Sequence, residues 1–120
     1  MDFRFGHHDT GEVRLHYAEA GDPAKPLIIC LHGFPEYWAG WRKVMEDLSG
    51  DFHVVAPDQR GYNLSGKPQG IEAYRARHMA ADLASLAERL SPGQTIRYQS
   101  RAKNRELLPC RSSASRLGRG

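Results

Sequence analysis

Apolar residues in this chain form two short continuous runs and two longer stripes with helical spacing. The runs, Leu27–Leu31 and Phe52–Ala56, each end in turn-forming residues, which is typical of buried strands. The stripes, Trp38–Leu48 and Glu72–Leu90, bring apolar residues to one side every three or four positions and predict amphipathic helices. This strand, helix, strand, helix order predicts a parallel sheet covered by helices, and therefore an α/β fold.

Apolar side chains of the two helices are expected to cover the sheet. Trp38 and Trp41 lead the first helix and should face the interior, because aromatic residues at this spacing are usually core residues. The stripe of the second helix consists of Met79, Leu83, Leu86, Ala87 and Leu90.

The N-terminal segment alternates apolar and polar residues in two stretches, Asp2–His8 and Glu12–Ala18, separated by Asp9–Gly11. In the second stretch the apolar residues fall on one side, with Arg14 and His16 on the other. This pattern predicts a β-hairpin with an Asp/Gly turn. Because it precedes the strand and helix repeats, it should form the antiparallel edge of a mixed sheet.

The loop after the first buried run carries the candidate chemistry. Loops at the carboxyl ends of parallel strands converge on a crevice, and this loop begins with His32, Gly33, Phe34 and Pro35. Gly33 allows the backbone close to a ligand because no Cβ intervenes. Pro35 has no N–H, so the free backbone donors are expected to be those of Gly33 and Phe34.

These residues, together with a second motif at Asp58–Tyr62 and Ser65–Pro68, resemble the α/β-hydrolase fold family in its epoxide hydrolase and haloalkane dehalogenase branch. Asn63 stands where many relatives have Gly, a mild change because Asn tolerates left-handed backbone. The resemblance extends from the hairpin to Leu90, and it is carried by His32–Glu36, Trp38, Trp41, Arg42, Asp58–Tyr62 and Ser65–Pro68.

The resemblance implies a mechanism and the roles of the loop residues. An Asp nucleophile attacks a small apolar epoxide or organohalide and forms an ester, which water activated by a His–acid pair then hydrolyses. Phe34 corresponds to the residue whose backbone N–H supplies one half of the oxyanion hole. His32 and Gly33 shape the turn that aims this donor, His32 as a structural histidine that bonds loop backbone. The bond before Pro35 is expected to be cis, as is typical of relatives.

The sequence after the second helix departs from the family pattern. The nucleophile turn, roughly Gly-His-Asp-Trp-Gly-Gly, should follow the next strand, but neither residues 95–105 nor the residues beyond them contain it. We therefore expect residues 1–94 to be the N-terminal portion of an α/β-hydrolase domain, a truncated piece without nucleophile, acid or catalytic His and inactive alone. Without a following strand, Leu27–Leu31 would become an exposed sheet edge, and the chain would aggregate.

Charge changes at the same boundary. Residues 1–96 carry 10 Lys/Arg and 13 Asp/Glu, a net charge of −3, whereas residues 97–120 carry 7 Lys/Arg and 1 Asp/Glu, a net charge of +6. We interpret residues 95–120 as a disordered Arg/Ser-rich tail. An out-of-frame or aberrant terminus is favoured over a functional basic extension, because the change falls where a core strand is due.

Two other functions stay open beside epoxide hydrolysis. Haloalkane dehalogenases that hold the halide with an Asn directly after His-Gly are disfavoured by Phe34, but haloacetate dehalogenases share His-Gly-Phe-Pro. The other alternative is a non-catalytic fragment whose basic tail binds nucleic acid, which we do not favour as a partner.

The remaining features limit the compartment and the cofactors. Cys30 lies in a buried run and Cys110 in the tail, so no disulfide framework is implied and a cytoplasmic setting is expected. No apolar run is long enough to cross a membrane. His7 and His8 are adjacent on a strand and should point to opposite faces, which argues against a metal site. With no phosphate-binding Gly loop and no zinc spacing, we expect no cofactor.

Overall fold

The computed structural model describes residues 3–33, 36–93, 95–100 and 110–111. These residues form one six-stranded sheet. Its strands are β1 (Arg4–Asp9), β2 (Arg14–Ala20), β3 (Leu27–Leu31), β4 (His53–Pro57), β5 (Thr95–Ser100) and β6 (Cys110–Arg111). The α-helices are α1 (Arg42–Leu48) and α2 (Ala76–Leu90), and two 3₁₀ turns cover Trp38–Trp41 and Ile71–Tyr74.

The sheet is mixed, and its strand order is β1-β2-β4-β3-β5-β6. Strand β2 pairs antiparallel with both β1 and β4, whereas β3 runs parallel to β4 and to β5. The two-residue strand β6 pairs antiparallel with β5. The predicted α/β architecture, a hairpin edge followed by parallel strands, is therefore confirmed, and the carboxyl ends of β3, β4 and β5 lie at one edge of the sheet.

The centre of the sheet is buried on both faces. Every residue of β3 and β4 is buried, which explains the continuous apolar run in β3. One face packs on α2, where Leu86 and Ala87 are fully buried, and Met79 lies outside this cluster. The other face packs on Trp38, Trp41 and α1. The predicted core-facing side of both helices is confirmed, with Met79 half-buried beside a small cavity that Leu15 and Leu83 also line.

The helix expected at Glu72–Leu90 is broken at Arg75. The backbone of Arg75 is extended, with φ −64° and ψ 150°, between the 3₁₀ turn and α2. The carbonyl of Ala73 accepts a hydrogen bond from Arg60 Nη1 at 2.6 Å. Tyr74 Oη donates to the Pro68 carbonyl at 2.6 Å. Both bonds tie the 3₁₀ turn to the loop after β4, and α2 begins only beyond it.

The segment Thr95–Ser100 forms strand β5, which differs from the expectation that an irregular tail begins at residue 95. Its residues pair with β3 from Ile28 to Leu31. Because β4 lies on the other side of β3, β3 is an internal strand, and the exposed edge expected to cause aggregation is absent at β3. Residues 101–109 and 112–120 of the predicted tail lie outside the described residues.

The two adjacent histidines of β1 point to opposite faces of the sheet, as predicted. The His7 ring lies 5.2 Å from the His16 ring. On the other face, His8 Nε2 lies 2.7 Å from Ser85 Oγ of α2. Within the described parts of the chain, no helix has the length and apolar character of a membrane span.

Candidate functional site

The loop after β3 (residues 32–37, the β3 loop) is bonded to the loop after β4 (residues 58–68, the β4 loop). His32 Nδ1 lies 3.0 Å from the Gly33 carbonyl oxygen, and the Gln59 backbone N–H donates to His32 Nε2 at 3.0 Å. The Gln59 side chain donates to the His32 carbonyl at 2.8 Å. Because a carbonyl only accepts and an amide N–H only donates, these partners place the proton of a neutral His32 ring on Nδ1. The two motifs of the sequence thus meet at the carboxyl edge of the sheet.

Burial lowers the pKa of His32 from its ordinary value of 6.5, and the Gly33 carbonyl and nearby carboxylates only partly oppose this. As the pH falls, the unfolded chain therefore binds the proton before the folded protein does. We expect the contribution of His32 to stability to be complete above pH 6.5 and to be lost as the pH falls from 6.5 towards the lowered pKa of the folded state.

The variant His32→Gln tests this pH dependence, because Gln keeps an acceptor for the Gln59 N–H but does not titrate. The free energy of unfolding, measured between about pH 7.5 and about pH 5, should fall less steeply in the variant than in the wild type. His7 and His8, whose pKa values are also lowered by burial, are present in both proteins. The difference in slope therefore isolates His32, and identical slopes would contradict the expectation.

Within the β3 loop, Gly33 and Glu36 close a tight turn. The Glu36 N–H donates to the Gly33 carbonyl at 2.7 Å, and the Gly33 N–H donates to Glu36 Oε1 at 3.3 Å. The Gly33 N–H is therefore engaged, contrary to the expectation that it is a free donor. Phe34 and Pro35 lie outside the described residues, so the oxyanion role of the Phe34 N–H and the cis bond before Pro35 stay predictions.

Asp58, the first residue after β4, is completely buried and accepts three hydrogen bonds through its carboxylate. Oδ1 accepts from the Trp38 backbone N–H at 2.9 Å. Oδ2 accepts from Asn63 Nδ2 at 2.9 Å and lies 2.7 Å from His16 Nδ1. Since a buried carboxylate is costly unless it is hydrogen-bonded, these partners determine where it lies. The carboxylate joins β2, the β4 loop and the end of the β3 loop.

The shape of the β4 loop depends on Asn63 and Ser65. Asn63 has a φ of 45°, so the sequence-based expectation of left-handed backbone at this position is confirmed. Ser65 Oγ accepts the His16 backbone N–H at 2.9 Å and donates to the Asp58 carbonyl at 2.5 Å. The next residue, Gly66, lies against β2, where a Cβ would come 3.3 Å from the Cβ of Val13.

Arg60 links the β4 loop to α2 through a buried ion pair. Its Nε and Nη2 donate to the two carboxylate oxygens of Asp82, both at 2.7 Å. Nη2 also donates to Glu12 Oε1 at 3.0 Å. The two bonds to Asp82 raise the pKa of Arg60 above its usual range, so the guanidinium stays charged. The Arg60 side chain is 2% exposed, and its role is structural because it connects the β4 loop to α2.

Sequence reasoning missed the contacts of His16, Asp58 and Asp82. The alternation in β2 predicts only that His16 faces away from the apolar residues, whereas the structure buries it against Asp58. The available signal was an Asp and an Arg placed directly after a buried strand, where loops carry function. Among the described residues, no group of three His, Cys, Asp or Glu side chains is placed to hold a metal ion.

The joined loops lie at the carboxyl ends of the parallel strands β3 and β4, and the sequence around them matches a known family over most of the chain. Residues 26–98 match the α/β hydrolase fold family. The chain belongs to this family.

Relatives of this α/β-hydrolase include proteins named as epoxide hydrolases. The chain is 44% identical over 89 residues to the AB hydrolase superfamily protein YfhM of Bacillus subtilis, covering 73% of this chain and 31% of that protein. It is 47% identical over 81 residues to epoxide hydrolase A of Mycobacterium tuberculosis, covering 67% of this chain and 25% of that protein. The crystal structure of epoxide hydrolase A from Mycobacterium thermoresistibile superposes with a TM-score of 0.80 at 35% identity, covering 86% of this chain and 32% of that chain. The chain thus spans about a quarter to a third of the length of these relatives.

Proposed function

We propose that this α/β-hydrolase segment forms the oxyanion side of an epoxide hydrolase that converts a small apolar epoxide to a diol. The observation that carries the proposal is the β3 loop itself, closed by the bonds between Gly33 and Glu36 and attached to Gln59 at the carboxyl edge of the sheet. The similarity to epoxide hydrolase A over the same residues supports epoxides as the substrate class.

The loop has a definite task in the proposed reaction. Attack of an Asp carboxylate on an epoxide carbon forms an ester and breaks a ring C–O bond, and the ring oxygen takes up a proton to become a hydroxyl. Hydrolysis of the ester by water passes through a tetrahedral oxyanion and releases the diol and the Asp carboxylate. A backbone N–H that is already oriented stabilises this charge without reorganising during the reaction. We assign this donor to Phe34, with His32, Gly33 and Pro35 shaping its loop. Nucleophile, acid and catalytic His have no candidates at matching positions of this chain, so we infer that residues 1–120 alone do not turn over.

A chimera tests this function. Residues 1–98 of this chain are joined to the part of the M. thermoresistibile epoxide hydrolase A that follows the matching segment, and diol release from styrene oxide is measured. We expect the chimera to form diol, while residues 1–120 and the remainder of the relative, each alone, form none. A folded chimera without activity would refute the proposed function. Diol release by purified 1–120, abolished by a point mutation within it, would refute the inference that it is inactive alone.

A further inference from the structure

Two consecutive residues of the β4 loop bond to the two ends of the β3 loop. Gln59 bonds to the first residue through the His32 carbonyl and the His32 ring, at 2.8 and 3.0 Å. Asp58 bonds to the residue just beyond the last one, the Trp38 N–H, at 2.9 Å. Both ends of the β3 loop are therefore located relative to one short piece of backbone at the end of β4.

The Asp58 end of this arrangement is the more deeply buried and the more extensively hydrogen-bonded one. The Asp58 carboxylate is completely buried, and its second oxygen is fixed by His16 and Asn63. His16 is itself held in place, since its N–H donates to Ser65 Oγ and its carbonyl accepts the Asp58 N–H at 2.8 Å. Hydrogen bonds to an ionised acceptor are roughly twice as strong as neutral ones, so the carboxylate is a strong constraint on the Trp38 amide.

We propose that Asp58 is a positioning residue for the β3 loop, with His16 orienting its carboxylate and Gln59 holding the other end of the loop. Asp58 acts through the Trp38 amide and does not touch substrate. The proposal rests on the proposed function only for what the loop does; the positioning itself is a property of this chain and is measured without substrate.

A second histidine–carboxylate pair provides a matched control. His53 Nε2 lies 2.6 Å from Glu19 Oε1 and joins the same two strands, β2 and β4, at the opposite end of β4. Like the pair of His16 and Asp58, it has a buried imidazole. The other partner of the Glu19 carboxylate is Arg4 of β1, so this pair is bonded to the hairpin edge of the sheet and not to the described residues of the β3 loop. We expect removal of either carboxylate to destabilise the sheet, but only removal of Asp58 to change the loop.

The experiment is amide hydrogen exchange by NMR on the full chain 1–120. In Asp58→Ala, we expect the Trp38 amide to exchange about 10- to 100-fold faster than in the wild type, after normalisation to amides of β3 and β4. Asp58→Asn, which keeps an acceptor oxygen but loses the charge, should show a smaller increase. Glu19→Ala should leave the normalised Trp38 exchange unchanged.

Gln59→Ala tests the other end of the β3 loop. It still tests whether the β4 loop positions the β3 loop if the Asp58 variants do not fold. Gln59 is only partly buried, and its removal should speed exchange of the Gly33 and Glu36 amides relative to the strands. The proposal is overturned if Trp38 exchange rises only in step with the strands, if Glu19→Ala affects it equally, or if Gln59→Ala leaves the loop amides unchanged. Because substrate is absent, an inactive chimera would count against the proposed function without altering this result.

Discussion

Replacement of Asp82 by Ala is expected to lower the free energy of unfolding by about 3 to 5 kcal/mol, because it leaves a buried guanidinium without its main partner. The Arg60 guanidinium has little access to water, since the Arg60 side chain is 2% exposed and the Asp82 side chain is 4% exposed. A typical domain has only about 5 to 15 kcal/mol of stability, so this single change removes a large part of it. Urea unfolding followed by tryptophan fluorescence measures the loss.

Two further variants separate the buried pair from simple loss of charge. Glu12→Ala removes the other carboxylate bonded to Arg60, but that side chain is 60% exposed, so we expect a much smaller loss. The double variant Arg60→Met/Asp82→Leu removes both charges and should recover most of the stability lost in Asp82→Ala. If Asp82→Ala and Glu12→Ala are equally destabilising, the buried pair does not have the role described.

Replacement of Phe34 by Pro in the active chimera is expected to lower kcat for styrene oxide about 10²- to 10³-fold, the usual effect of removing one oxyanion donor. Proline removes the backbone N–H while leaving a residue at the position. Because the proposed donor acts on the oxyanion formed when the ester is hydrolysed, the ester should accumulate in the variant. KM should therefore fall together with kcat, and kcat/KM should change little.

The matched control for this change is Phe34→Leu, which keeps the N–H and an apolar side chain. We expect Phe34→Leu to retain most of kcat, and thermal unfolding of both variants checks that each is folded. Equal losses of kcat in the two variants would show that the Phe34 side chain, and not its backbone N–H, supports the reaction.

The parts of the fold that depend on burial could be predicted from the sequence. Strand β3 is covered on both faces, so every residue is apolar and the run is recognisable. The core residues Trp38 and Trp41 follow from helical spacing in the same way, although the structure places them in a 3₁₀ turn. Strand β3 is buried on both faces and the turn with Trp38 and Trp41 on one face. Either kind of burial leaves a pattern in the local sequence that can be recognised without knowing the distant residues.

The parts that depend on distant polar partners could not be predicted. The 3₁₀ turn before Arg75 is bonded to Arg60 through the Ala73 carbonyl, and helical periodicity contains no sign of that contact or of the extended backbone at Arg75. Strand β5 was missed because residues Thr95–Ser100 are mostly polar, and it is recognisable only by its pairing with β3. The alternation in β2 placed His16 only on the side opposite the apolar residues, and its burial against Asp58 could not be foreseen because that partner is 42 residues away.

The adjacency of Asp58 and Gln59 has a consequence for altering this protein by insertion and deletion. A residue inserted between them would shift one anchoring point relative to the other, and His32 and Trp38 could no longer both be reached. A residue added to the β3 loop between those two anchors would leave both in register and change only the intervening span. Variants with altered loop length should therefore keep the spacing at 58–59 constant and leave the turn between Gly33 and Glu36 intact, so that the proposed Phe34 donor keeps its place.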